Sequence, residues 1–182
     1  MSELAKLYLE QGLENIDKQR VIKGQKGKTI ETQYREIRLR IDTLTQTQLE
    51  ILAYGDLVAQ KQIALLGVCK VYSFIRDFIV EVLRDKALVF NYQITEGEYI
   101  TFFRRKRELY PHLDTLTENT TRKVRQVVFK ILEQASLIDS ANSKLITPFI
   151  LDHKVARAVA EEDPEWLKVY LLSDLDIANQ IH

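Results

Sequence analysis

The sequence predicts a mainly α-helical protein: a multi-helix core with a winged helix-turn-helix-like C-terminal half and one small β-hairpin. Three observations predict it. Only six glycines and three prolines occur among 182 residues, too few for the turns an all-β chain needs. Apolar residues recur at steps of three and four over long stretches. Residues able to cap a helix stand directly before several of these stretches. Hydrophobic residues make up 46% of the chain, enough for a buried core, and the length fits one domain or two small ones sharing a core.

In chain order, Glu3 to Leu13 reads as a first short helix, and Lys23 to Lys28 as a basic, glycine-punctuated loop. Ile30, Tyr34, Ile37, Ile41 and Leu44 then fall on one narrow stripe at 100° per residue, with Thr29 placed to cap that helix. Arg35, Arg38 and Arg40 lie off the stripe and face outward. A helix from Thr47 to Tyr54 stops at Gly55. Asp56 caps the next, a long core helix from Leu57 to Lys86 with a bend expected at Gly67. Its apolar face is Val68, Val71, Ile75, Phe78, Ile79 and Val82.

Ala87 to Ile94 is either a short strand or an extended connector. Thr95 and Glu98 form a capping box, and the helix they open stops before Pro111. Thr117 caps another helix that runs to about Ser136. Leu137 to Ile150, with a polar turn at 140–143, reads as the β-hairpin. Short helices follow at His153 to Ala160 and after Pro164, where an N-terminal proline is tolerated. The order helix, turn, helix, hairpin over 95–150 is that of a winged helix-turn-helix, whose second helix enters the major groove. The expected divisions are an N-terminal helical domain over 1–92, a winged-helix-like domain over 93–160, and an acidic C-terminal helix or tail over 161–182.

Several function classes find no support. Cys69 is the only cysteine, so no intramolecular disulfide forms, as expected of a cytoplasmic protein; among Leu66, Val68 and Val71 it reads as a small buried hydrophobe. There is no hydrophobic N-terminal signal and no apolar run of about 20 residues to cross a bilayer. Gly27-Lys28-Thr29 matches the end of a P-loop, but Ile22 stands where that pattern requires glycine, and no strand precedes it. His112, His153 and His182 are far apart and lack partners at metal-ligand spacing. The expectation is a protein that is not an enzyme, with no cofactor and no metal.

Charge points elsewhere. The net charge is zero, but it is unevenly spread. Lys18 to Arg40 holds eight cations against Glu31 and Glu36, while the chain after residue 160 is acidic. Such asymmetry raises the question of nucleic acid. On the helix after Thr117, Val124, Val127, Val128, Ile131 and Ala135 share one face. Arg122, Lys123, Arg125, Gln126 and Lys130 occupy the other, with no acidic residue between Arg122 and Lys130. Cations suit a phosphate backbone, and arginine or glutamine also reads base edges. Phe129, on the same side, is expected to pack under the hairpin, with contact to the ligand as the alternative. Arg104, Arg105, Lys106 and Arg107 form a tetrabasic run; one or two would serve the helix dipole, so Arg104 and Arg105 join the candidates. Lys26, Lys28, Arg35 and Arg38 are further candidate phosphate contacts. The competing reading of each face is an ordinary solvated helix surface.

The runs Tyr34 to Ile41, Leu49 to Ala53, Ser73 to Val82 and above all Thr120 to Leu132, with Ala135, Leu137 and Ile138, resemble the BrxA family of bacterial BREX phage-defence islands. These islands also encode a methyltransferase and large ATPases. The resemblance extends from about Leu4 to Ala160. It implies a helical core with winged-helix character, no enzymatic activity, and a role as a double-stranded-DNA-binding accessory protein beside other BREX subunits. The family is also likened to NusB, a helical RNA-binding factor, so RNA is the alternative ligand; a protein–protein adaptor is the other alternative. The family is elsewhere described as an inner-membrane protein, which the hydropathy of this chain contradicts. Residues 23–28 depart from the family pattern, where a more apolar segment is expected. By position, Arg122, Lys123 and Arg125 match it best.

Overall fold

The computed structural model describes residues 1–12, 18–22 and 28–180. They are mainly helical, and they form two compact units. One comprises residues 1–71 and 151–164, the other residues 72–150 and 165–182. The acidic C-terminal segment, residues 161–182, is divided between these units.

The first unit holds α1 (Ser2–Gln11), α2 (Lys18–Val21), α3 (Lys28–Ile41), α4 (Gln46–Tyr54), α5 (Leu57–Val71) and, from the C-terminal half, α10 (His153–Ala160). The apolar stripe of α3 is inward as its spacing requires: Ile30, Tyr34, Ile41 and Leu44 are buried. Helix α3 starts at Lys28, so Thr29 lies inside it rather than capping it. Thr45 caps α4 in a capping box with Gln48. Asp56 accepts hydrogen bonds from the Val58 and Ala59 amides, at 2.8 and 2.9 Å, to cap α5.

The bend expected at Gly67 is absent there. Gly67 instead allows close packing of α5 on α3: a Cβ at this position would sit 3.2 Å from the Arg40 carbonyl. The helix ends four residues later at Val71, and Tyr72 (φ −115°, ψ 90°) separates it from α6. A polar network is enclosed here. Lys70 Nζ donates to the Thr43 carbonyl at 2.9 Å and to Gln48 Oε1 at 3.1 Å. Gln48 Nε2 donates to the Ala158 carbonyl, and both Lys70 and Gln48 reach Glu162. Such buried donors must find acceptors, so Glu162 of the acidic segment serves the fold.

The second unit holds α6 (Ser73–Phe78), a π-helical segment (Ile79–Arg84), α7 (Asp85–Leu88), α8 (Glu96–Leu109), a 3-10 turn (Pro111–Leu113), α9 (Glu118–Gln134), a 3-10 helix (Pro164–Tyr170) and α11 (Asp174–Gln180). The π segment corrects the expected apolar face. A wider turn delays the inward position by one residue, so Leu83 is buried and Val82 is only partly so. Arg84 turns inward as well, donating to the Leu172 carbonyl at 2.7 Å and to Asp174 at 2.8 Å. The core is aromatic. Phe78 lies 5.0 to 5.9 Å, centre to centre, from Phe102, Tyr99 and Phe129.

The β-hairpin is also corrected. Among the described residues, 137–150 forms no ladder, only isolated bridges pairing Ile138 with Ile146 and Leu145 with Gln93. The reason is local. The Asp139 carboxylate captures the amides of Ser140 and Leu145. Lys144 adopts a left-handed conformation, and Pro148, which has no N–H, ends the pairing. Of the segment 87–94, Ala87 and Leu88 belong to α7, Val89 and Phe90 form a turn with Phe90 at φ 58°, and 91–94 is a connector apart from the bridge at Gln93.

Candidate nucleic-acid interface

Helices α8 and α9 carry most of the basic candidates, and each is fixed at its start. Thr95 Oγ1 accepts from the Glu98 amide at 3.2 Å while the Glu98 carboxylate accepts from the Thr95 amide at 2.7 Å. Lys86 adds a third contact to Glu98. Burial alone would raise the Glu98 pKa, but the Lys86 and Thr95 hydrogen bonds hold it below its ordinary value. Thr117 Oγ1 accepts from the Thr120 amide at 3.2 Å.

The buried side of α9 is Val128, Phe129 and Leu132. Phe129 is therefore core, against Phe78 and Tyr99, with the Lys144 ammonium 5.3 Å from its ring centre. That ammonium belongs to the segment expected to form the hairpin.

This packing separates the α9 candidates into two groups. Lys123, Gln126 and Lys130 lie on the outer face and are exposed. Lys123 has no carboxylate partner among the described residues, and Lys130 pairs with Glu133 at 2.7 Å. Arg122 and Arg125, at the edges of the helix, turn toward α8. There, Arg104 and Arg107 stand one turn apart on the facing side. Together these four arginines line one open cleft of about 580 Å3. Its apolar lining includes Tyr99, Ile100, Phe103, Leu113 and Leu116, and Glu118 is its acidic member. Arg122 pairs with Glu118 at 3.3 Å, Arg107 with Asp114 at 2.7 Å, and Arg125 with Glu96. Arg104 is exposed and has no carboxylate partner among the described residues.

Two members of the cleft escaped the sequence reading. Arg107 was hidden in the tetrabasic run, although its i, i+3 spacing from Arg104 places both on one face. Tyr99 reads as a core aromatic, and it is 98% buried. Its hydroxyl, however, has no hydrogen-bond partner among the described residues, and burial pushes the phenol above its ordinary pKa.

The remaining candidates are dispersed. Arg105 faces away from the cleft, pairs with Glu81 and lies over Phe102. Lys106 is buried, 2.6 Å from Asp77 and 2.7 Å from Glu81. In the first unit, Arg35 is 3.9 Å from Glu36 and Arg38 is 3.5 Å from Asp42. Glu31, Arg35, Arg38 and Asp42 follow at i, i+4, i+7 and i+11, so that face of α3 alternates in sign rather than forming a cationic strip. Lys26 lies outside the described residues, as does the side chain of Lys28. None of the described candidates pairs with the acidic C-terminal segment. Among the described residues, no group of His, Cys, Asp and Glu is arranged to hold a metal, and no helix is long and apolar enough to cross a membrane.

Known proteins resemble the chain in sequence and in fold. A family model described as BrxA matches residues 1–163. A BREX protein BrxA of Escherichia coli O9:H4 (strain HS) is 23% identical over 104 residues, 57% of this chain and 49% of that protein. The chain thus spans about half the length of that relative. An uncharacterized protein from Magnetospirillum magneticum, known from its crystal structure, has the same fold. The TM-score is 0.78 at 16% identity, covering 93% of this chain and 90% of the other.

Proposed function

The chain belongs to the BrxA family, and we propose that it is a non-enzymatic, double-stranded-DNA-binding accessory protein of a BREX-type phage-defence system, working in the cytoplasm with other BREX subunits. The observation that carries this reading is the outer face of α9. Lys123, Gln126 and Lys130 are exposed there, Arg122 stands at its edge, and no acidic residue occurs from Asn119 to Leu132. A helix of that kind offers cations to phosphates and an amide to base edges. The order α8, turn, α9 supports a helix-turn-helix use, with α9 in the groove. Arg104 and Arg125 flank it as additional phosphate contacts.

The test is a duplex-binding titration at increasing salt. With about six phosphates engaged, affinity falls roughly a thousandfold between 50 and 200 mM salt. Competition by a stem-loop RNA of equal length separates DNA from RNA. Salt-insensitive or undetectable binding to both removes the nucleic-acid reading. The protein-adaptor reading then stands, and one observation favours it: Val89 and Phe90 are 70% and 80% exposed, with Phe90 held at φ 58°.

A further inference from the structure

We propose that the arginine cleft between α8 and α9 is a binding site for a nucleoside 5′-phosphate, either a free nucleotide or the phosphorylated end of a strand. The duplex-binding reading uses the outer face of α9. The cleft is a separate concavity, and although the two share Arg122 and flanking arginines, neither requires the other.

Three properties of the cleft select this chemistry. The first is the guanidinium set. Arg104 and Arg107 from α8 face Arg122 and Arg125 from α9, and planar forks of this kind match phosphate oxygens bidentately. Arg104 has no competing carboxylate among the described residues, and the Arg122–Glu118 pair is a loose 3.3 Å contact between exposed groups, readily exchanged for phosphate. The second is the lining. Ile100, 40% exposed, together with Leu116 and the largely buried Phe103 and Tyr99, gives the apolar lining against which a planar base packs, and guanidinium planes stack on such a base. The space, about 580 Å3, falls within the range of small-molecule sites.

The third is the Tyr99 hydroxyl. Tyr99 is one of the lining residues, and its hydroxyl is enclosed and lacks a partner among the described residues. An orphaned buried hydroxyl is rare and destabilising; an acceptor that reaches it from the cleft by a small shift of the lining satisfies it. A surface evolved only for a duplex backbone needs neither an apolar floor nor a buried donor.

The experiment uses the full chain carrying Lys123→Glu and Lys130→Glu. These substitutions lie outside the cleft and suppress contact through the outer face. Adenosine 5′-monophosphate, adenosine and inorganic phosphate are titrated separately, with binding read by calorimetry and by amide shifts in α8 and α9. The nucleotide is expected to bind with a Kd on the order of 10 to 100 μM, and adenosine and phosphate each about tenfold or more weakly.

Arg104→Ala is expected to weaken nucleotide binding about tenfold. Tyr99→Phe, which keeps the core volume, is expected to weaken it while raising the melting temperature of the free protein, because the orphaned group is gone. That opposite pair of changes is not expected of a purely structural tyrosine. A 5′-phosphorylated oligonucleotide that competes with the nucleotide where its 5′-hydroxyl counterpart does not assigns the site to strand ends. Competition by neither assigns it to free nucleotides. The proposal is overturned if millimolar nucleotide gives no shifts in α8 and α9, or if phosphate alone binds as well as the nucleotide. Either failure leaves duplex binding by the unsubstituted chain intact and so is distinguishable from failure of the duplex reading.

Discussion

Lys106 Nζ lies 2.6 Å from Asp77 Oδ2, and both side chains are almost fully enclosed. One member of the tetrabasic run is therefore a core ion, while its neighbours on either side reach the surface. Lys106→Met leaves the Asp77 carboxylate enclosed with Arg76, 2.7 Å away, as its remaining cation. Removing one partner of a buried pair costs about 3 kcal/mol or more. The expected outcome is a loss of about that size in a urea titration. Adding Asp77→Asn recovers most of it, because no uncompensated charge is then left inside. Equal stability of Lys106→Met and the wild type would show that this pair does not hold α8 against α6.

The same pair sets a pH window. Burial would raise the Asp77 pKa, but hydrogen bonds from Lys106 and Arg76 hold it below its ordinary 3.8. Burial would likewise lower Lys106, yet Asp77 and Glu81 hold it above its ordinary 10.5. A depressed carboxyl contributes stability that is present above its unfolded pKa and lost as pH falls through the folded one. A raised ammonium contributes stability that is present below its unfolded pKa and lost as pH rises through the folded one. The pair thus stabilises the fold from about pH 4 to about pH 10.5 and weakens outside that range. Urea midpoints measured from acid to neutral pH are expected to fall less steeply on the acid side for Asp77→Asn. Parallel curves for the two proteins contradict the assignment.

Phe129 separates packing from binding. It occupies the polar side of α9 in sequence yet is buried against Phe78 and Tyr99. Phe129→Ala is expected to cost about 3 to 5 kcal/mol in stability. Below its melting temperature, the variant is expected to keep its duplex affinity within a few-fold. A large loss of affinity in a sample shown by circular dichroism to be folded would place the ring at the interface instead.

What the sequence made legible was whatever depends on near neighbours. The caps at Thr95, Thr117 and Asp56 follow from short-range chemistry and occur as expected, as does the buried stripe of α3. Events set by distant partners were not legible. The π segment that exchanges Val82 for Leu83 accompanies Arg84 bonding to Leu172 and Asp174, about ninety residues away. The bend assigned to Gly67 failed because that glycine answers to Arg40 on another helix. The hairpin failed because Asp139 competes with the ladder for amides. At the candidate interface, the charge pattern pointed to the cations of α9, of which Lys123 and Lys130 are exposed. It did not reveal that Arg122 and Arg125 turn toward Arg104 and Arg107, since that convergence depends on how α8 packs on α9.

The outer face of α9 carries the central claim, and Lys123→Glu with Lys130→Glu tests it most directly. Fluorescence anisotropy of a labelled duplex at 50 mM salt is the measurement, with a thermal melt of the same samples. Loss of at least a hundredfold in affinity, with the melt nearly unchanged, is the predicted result; two charge reversals remove about two phosphate contacts and add repulsion at both. Wild-type affinity in the doubly substituted protein would contradict the assignment of α9 as the nucleic-acid-binding surface.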